Sequence, residues 1–146
     1  MISLYKPYMP TELPELENIL HSGALAYGKW GREFESRLKS FVGVENLLTT
    51  NSFAMAIQIA LTVLDLKPGD EVILPSYTFS STATAAVLAG AKLVFVDIRP
   101  DTMNIDEAKI EAAITEKTVG IVPVHYAGVA CEMDTIMDIA RRHNLW

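Results

Sequence analysis

Three short stretches carry the side chains that can do chemistry. In EVILPSYTFSSTA, residues 71–83, an apolar run and a proline give way to Ser76, Tyr77, Thr78, Ser80, Ser81 and Thr82 around a single phenylalanine, Phe79. With a strand ending at Pro75, Phe79 falls at the mouth of a sheet. A core aromatic flanked by capping hydroxyls and a ring offered to a ligand both fit the local sequence. In TTNSFAMA, Ser52 has the identity of a helix N-cap, and the free N–H groups behind it can hold an anion such as a phosphate. Plain capping with no ligand accounts for that stretch as well. In VHYAGVACEMD, His125 stands directly after a strand as a catalytic acid or base, a substrate donor, or a hydrogen-bonded strand-end residue, the commonest fate of the three. It has no partner at metal-ligand spacing, so no metal site is expected.

The acidic residues read differently. Asp97 ends KLVFVD where a dinucleotide-binding fold would place its ribose carboxylate, but the G-x-G-x-x-G fingerprint is missing from the first strand-to-helix turn. Capping of the RPDT turn is therefore its expected role. Asp65, Asp70, Glu71 and Asp106 are expected at turns and helix starts, in solvation and capping.

The elements that must position these stretches follow from periodicity. TELPELENILHSG reads as an amphipathic helix opened by Thr11 and stopped by Gly23, GALAYGKWG as a glycine-rich loop, and REFESRLKSFVG as a second helix ending at Gly43. Short apolar runs then alternate with helical ones: 46–50, 71–75, 92–97 and 119–124 as strands, and 52–66, 79–90, 107–114 and 131–144 as helices, the last holding Cys131 as a packed residue. Leu145 and Trp146 begin a further strand. Runs apolar on both faces, alternating with helices, predict an α/β fold with a mostly parallel sheet covered on both sides. In such sheets ligands bind outside the carboxyl ends of the strands, where all three chemical stretches fall.

Composition sets the outer limits. The chain has 146 residues, half of them hydrophobic, and a formal charge of -6. That suits one globular domain without the basic footprint of a nucleic-acid binder. No apolar segment reaches the ~20 residues that span a bilayer, and MISLYKPYMP lacks the layout of a signal peptide, so no membrane partner and a cytoplasmic location are expected. A single cysteine, Cys131, excludes an intrachain disulfide.

The order of segments is more specific than any one of them. LKPGDEVILPSYTFSSTATAAVLAGAKLVFVDIRPDTMNID followed by IEAAITEKTVGIVPVHYAGVACEMDTI resembles the DegT/DnrJ/EryC1/StrS family of sugar aminotransferases, which use pyridoxal 5'-phosphate (PLP) on nucleotide-linked keto sugars. HSGALAYGKWGREFE is similar to the family's N-terminal SG…G…FE pattern, and TNSFAMAIQIAL occupies the place of its TNSGTAALHLAL. From Pro75 to Asp134 the chain looks most like the members that aminate C4 of dTDP-4-keto-6-deoxyglucose, making dTDP-4-amino-4,6-dideoxygalactose. The resemblance implies the N-terminal portion of the type I PLP-dependent aminotransferase large domain, with residues 1–43 as N-terminal helices and active-site loop and 44–146 as βα units. It also implies a homodimer, glutamate as amino donor, and products bound for surface polysaccharide, lipopolysaccharide or other deoxysugar biosynthesis.

Carried onto this chain, the resemblance places Phe79 as the ring stacked on the cofactor, and the loop of Phe53, Ala54 and Met55 at the phosphate, through the Ala54 and Met55 amides. Tyr27, Gly28, His125 and Tyr126 become substrate-proximal. Phe53-Ala54 stands where the family has Gly-Thr, so a phosphate-binding hydroxyl is replaced and a bulky ring enters the loop. The family's pyridine-pairing aspartate and Schiff-base lysine are expected beyond Trp146. Lys6, Lys29, Lys39 and Lys67 fall on helices or turns and Lys92 at a strand's amino end, so the 146 residues alone are expected to be inactive. A non-catalytic dimerisation or regulatory remnant of the same fold is the alternative, and a dinucleotide-binding domain ranks last.

Overall fold

The computed structural model describes residues 12–146, so Thr11, the expected cap of the first helix, lies outside the described residues. The chain divides into two compact units, the first running to Thr49 and the second from Thr50 to Trp146.

The first unit holds α1 (Pro14–His21) and α2 (Lys29–Val42). Pro14 opens α1 at the one position where a missing N–H costs nothing. Helix α2 stops at Gly43, whose φ of 77° lets its N–H return to the Lys39 carbonyl at 2.8 Å. It starts at Lys29, so Lys29–Gly31 belong to the helix and not to the expected glycine-rich loop. At Gly31 a Cβ would come within 2.9 Å of the Tyr27 ring, so this glycine makes room for a side chain.

Residues 46–50, expected as a strand, form none. Leu48 is 82% exposed. Thr49 donates its N–H and its hydroxyl to the Glu35 carboxylate at 2.8 and 2.9 Å. Backbone polar groups must find partners, and an apolar run becomes a strand only where a neighbouring strand supplies them.

The second unit runs α3 (Phe53–Val63), β1 (Glu71–Pro75), α4 (Ser80–Leu88), β2 (Lys92–Val96), α5 (Glu107–Ile110), β3 (Thr118–Ile121) and α6 (Met133–Arg142). The strands lie in the order β2-β1-β3, all parallel, with Ile73 level with Val94 on one side and Ile121 on the other. Neighbouring residues of a strand face opposite ways, and both faces are covered. Val72 packs with Leu61, Ala85, Ala86 and Ala91 from the α3 and α4 side; Ile73 packs with Ile110, Ile136 and Ile139 from the α5 and α6 side. This three-layer arrangement is why the strands read as apolar throughout.

Several elements are shorter than expected: α3 ends at Val63, α4 at Leu88 and β2 at Val96, and α6 runs only from Met133 to Arg142. β3 ends at Ile121, although the Val122 N–H still reaches the Ile73 carbonyl at 2.8 Å. The helix expected over 107–114 closes after Ile110 into a 3-10 turn, Glu111–Ala113. The strand expected to begin at Leu145 has begun: the Trp146 N–H meets the Val119 carbonyl at 3.2 Å and its carbonyl accepts from Ile121 at 2.9 Å, the parallel pattern. The indole lies where a Cβ on Gly120 would stand 2.2 Å from it.

Glu71 corrects the expectation of a solvated turn residue. It is buried at the start of β1, where Lys92 at 2.9 Å and the Thr115 hydroxyl at 2.6 Å neutralise and bind its carboxylate. Thr115 and Lys92 together hold its pKa below the ordinary glutamate value. Asp70 and Asp106 do cap, accepting from Lys67 N–H at 2.7 Å and Ala108 N–H at 3.2 Å. Among the described residues no helix is long and apolar enough to cross a membrane.

Candidate functional site

Because the strands are parallel, the connections that leave Pro75, Val96 and Ile121 share one edge of the sheet. Leaving β1, the chain turns through Ser76, Tyr77 and Thr78, and Phe79 stands at the N-cap position of α4 with an extended backbone, φ −67° and ψ 141°. Its side chain makes no cap hydrogen bond and is 78% exposed, so the core reading of this ring falls away. The capping hydroxyls turn inward instead: Thr78 Oγ1 and Thr82 Oγ1 lie 3.0 Å apart, with Thr82 buried.

Helix α3 brings its N-terminus to the same edge. Ala54 and Gln58 line one groove with Ser80, Ser81 and Thr84, which places the start of α3 beside the start of α4. Ser52 caps α3, its Oγ accepting from the Met55 N–H at 3.2 Å. The first intrahelical bond runs from the Ala56 N–H to the Ser52 carbonyl at 3.1 Å. The N–H groups of Phe53 and Ala54 precede it and point out of the helix end, where the helix dipole favours an anion. The Phe53 ring is 68% exposed and Met55 41%.

The third connection carries His125 and Tyr126. The Tyr126 ring meets Tyr77 at 5.2 Å between centroids, tilted by 46°, with the two hydroxyls 3.3 Å apart. That hydrogen bond to Tyr77 raises the Tyr126 phenol above its ordinary pKa. His125 is four residues past β3 and uses Nδ1 to accept the Cys131 N–H at 3.0 Å. Nδ1 is thus spent on this hydrogen bond, and Nε2 is left to carry the ring proton. Cys131 lies in this loop and not on α6; its thiol donates to the Val124 carbonyl at 3.2 Å, and burial pushes its pKa up. Asp97 accepts from Ile98 N–H at 2.8 Å and from Ser76 Oγ at 3.5 Å, tying the ends of β1 and β2 together, so it does not cap the RPDT turn.

Tyr27 and Gly28 belong to the first unit. Gly28 is the N-cap of α2, its carbonyl accepting from Arg32 N–H at 3.0 Å. The Tyr27 phenol donates to Glu35 at 2.6 Å, which raises the phenol and lowers the buried carboxylate, already bound by Thr49.

Two buried polar residues escaped the sequence reading. Glu35 sits in the helical run REFESRLK, where a glutamate reads as solvated. Asn104, in the RPDTMNID turn, is 2% exposed and binds the backbone of the Tyr126 loop at three points. Neither carries a local signal, because the partners lie 8 to 26 positions away.

Lysines of the second unit keep away from the edge or are engaged. Lys67 and Lys117 precede strands and Lys92 opens β2, all at the amino-end edge. Lys109 binds Asp106 at 3.0 Å and Asp97 at 3.8 Å, and Asp106 raises its pKa. No group of histidine, cysteine and carboxylate side chains among the described residues has a metal-binding arrangement.

Residues 8–146 match the model of the DegT/DnrJ/EryC1/StrS aminotransferase family. The chain is 42% identical over 135 residues to the spore coat polysaccharide biosynthesis protein SpsC of Bacillus subtilis, covering 92% of this chain and 35% of that protein. It is 43% identical over 118 residues to the GDP-perosamine synthase of Caulobacter vibrioides, covering 81% and 32%. The crystal structure of NtdA from Bacillus subtilis with the bound cofactor PMP superposes with a TM-score of 0.84 at 40% identity, covering 89% of this chain and 30% of that one. The chain thus spans about a third of the length of the relatives it matches.

Proposed function

Because the chain belongs to the DegT/DnrJ/EryC1/StrS aminotransferase family, we propose that it forms the N-terminal part of a PLP-dependent aminotransferase. The enzyme moves an amino group from glutamate to a nucleotide-linked 4-keto-6-deoxy sugar destined for surface polysaccharide or another deoxysugar product. The observation that carries the reading is Phe79: a large ring, 78% exposed, held at the carboxyl edge next to two helix N-termini.

The residues present fit the cofactor. Exposed rings are costly unless something covers them, and a flat aromatic ligand covers Phe79 by offset stacking. Ala54, Ser80 and Ser81 line the groove in which a phosphate would sit, at a helix N-terminus that leaves the Ala54 N–H outside the first intrahelical bond. The Met55 amide, which the family resemblance assigns to the phosphate, is already bound to Ser52. Phosphate binding here therefore leans on Ala54 and the α4 hydroxyls, which also make up for the hydroxyl that Ala54 lacks. When bound, PLP supplies the carbonyl that exchanges the amino group and a ring that takes up electron density as a carbon proton leaves. This part of the chain orients that ring with Phe79 and anchors its phosphate at α3.

On the substrate side, Tyr126 offers a phenol and His125 an Nε2–H. The pyridine-pairing aspartate and the lysine that binds PLP are assigned to the protein beyond Trp146. The exposed apolar side chains Phe53, Val63, Val87 and Leu88 support burial against more of the same protein, in a cytoplasmic homodimer.

The test uses the full-length protein with added PLP. A visible absorption band that bleaches on adding glutamate and returns on adding dTDP-4-keto-6-deoxyglucose is the expected result. A full-length protein that gives no band is not an aminotransferase, and the remnant of the fold becomes the better description.

A further inference from the structure

The β2–α5 turn holds a side chain that the proposed chemistry does not use. Asn104 is 2% exposed, and its carboxamide is committed to the loop after β3: Oδ1 accepts the Tyr126 N–H at 2.8 Å, and Nδ2 donates to the Val129 carbonyl at 3.1 Å and the Ala130 carbonyl at 3.0 Å. Only one orientation of the amide suits this set, because the oxygen must face the N–H and the nitrogen both carbonyls. The turn is built to aim it. Arg99 N–H reaches the Asn104 carbonyl at 2.8 Å, Ile98 and Ile105 form an antiparallel bridge, and Met103 turns the chain with a φ of 61°.

The loop it grips needs gripping. Ala127 adopts φ 51° and ψ 26°, and Gly128 follows at φ 82°, so two successive residues are left-handed and one is not glycine. Such a conformation persists only where the surroundings over-determine it, and such sites cluster at ligand clamps and active sites. The loop's other backbone N–H ties are local: Gly128 N–H to His125 at 3.2 Å, Val129 N–H to Tyr126 at 3.0 Å and Cys131 N–H to His125 Nδ1. None of these three reaches another element; the Tyr126 hydroxyl does, at Tyr77. Asn104 is what fastens this connection to the sheet's neighbouring turn, and it does so at the residue whose ring meets Tyr77.

We propose that Asn104 is a positioning residue for the ligand edge, acting through Tyr126: it sets the loop so that the Tyr126 phenol pairs with Tyr77 beside the Phe79 connection. The pair then presents two hydroxyls as one hydrogen-bonding unit toward an oxygen-rich ligand. A glutamine is too long for the site and an alanine empties it. An aspartate keeps the acceptor for Tyr126 but turns an oxygen on the Val129 and Ala130 carbonyls.

Two measurements on the full-length protein test this. The first is independent of any aminotransferase activity: tyrosine is labelled with 13C at Cζ and the Tyr126 signal is identified by its loss in Tyr126→Phe. In Asn104→Asp the Tyr126 and Tyr77 signals move while the Tyr27 signal stays; unmoved Tyr126 and Tyr77 signals overturn the proposal. If the variants do not fold, hydrogen exchange in the wild type decides: strong protection of the Tyr126 amide is expected, and exchange as fast as in exposed loops overturns it.

The second measurement rests on the proposed function and uses glutamate and dTDP-4-keto-6-deoxyglucose. Asn104→Asp raises KM for the sugar by about tenfold, and in a Tyr126→Phe background the same change raises it less than about twofold, because residues acting as one unit are not additive. Equal effects in both backgrounds mark Asn104 as merely structural and overturn the proposal. A wild type that lacks activity but passes the labelling test refutes the proposed function and leaves the positioning role standing.

Discussion

Replacing Phe79 by alanine separates a platform from a core ring by sign as well as size. The ring is 78% exposed, so its removal deletes few folded contacts, and stability should stay within about 0.5 kcal/mol of wild type. Cofactor affinity has more to lose. A pyridine ring laid on Phe79 covers roughly 60 Å² of apolar surface, about 1.5 kcal/mol at about 25 cal/mol per Å². Stacking geometry adds about 1 kcal/mol. The sum, about 2.5 kcal/mol, is roughly 70-fold in Kd. Full-length apoprotein, wild type and Phe79→Ala, is titrated with PLP by absorbance, and thermal unfolding is followed without cofactor. A Kd within twofold of wild type, or a melting temperature many degrees lower without ligand, refutes the reasoning: the first denies the stack and the second returns the ring to the core.

Two further predictions concern what holds the edge in place. Gly120→Ala puts a Cβ 2.2 Å from the Trp146 indole, whose backbone is already paired to β3; overpacking should cost about 1–3 kcal/mol in urea unfolding monitored by tryptophan emission. A loss below about 0.5 kcal/mol would mean that the indole swings away freely. Glu111, bonded to Arg142 and to His143 Nε2 at 2.9 Å, has its pKa lowered from 4.5 to about 2, chiefly by Arg142. A depressed carboxylate stabilises fully above its unfolded pKa and loses that contribution as pH falls through the folded one. Glu111→Gln should therefore be less stable than wild type at pH 7, with the gap closing between pH 4.5 and about 2; a gap constant across that range contradicts the pairing.

The regular elements of the second unit were largely legible because their signals are local. Ser52 marks the start of α3, and EVILP could be read as a buried parallel strand because helices cover both of its faces, whereas KLVFV is an edge strand with the Phe95 ring exposed. Where legibility failed, a partner far along the chain had decided. NLLTT has strand composition, yet Thr49 is occupied by Glu35. Glu71 looks like a turn carboxylate until Lys92 and Thr115 are brought to it. Phe79 was open between core and ligand, and its exposure removes the core reading within these residues.

By itself the sequence determined the βα alternation of the second unit, the Ser52 cap of α3 and the family, since each is written in residue order and short-range periodicity. Only the tertiary structure decided which polar groups are buried and who satisfies them: Glu35 by Tyr27 and Thr49, the Tyr126 loop by Asn104, and Tyr77 against Tyr126. The physical reason is desolvation. A buried polar group must be paired, its partner comes from another element, and that choice exists only once the parallel sheet has carried separate loops to one edge.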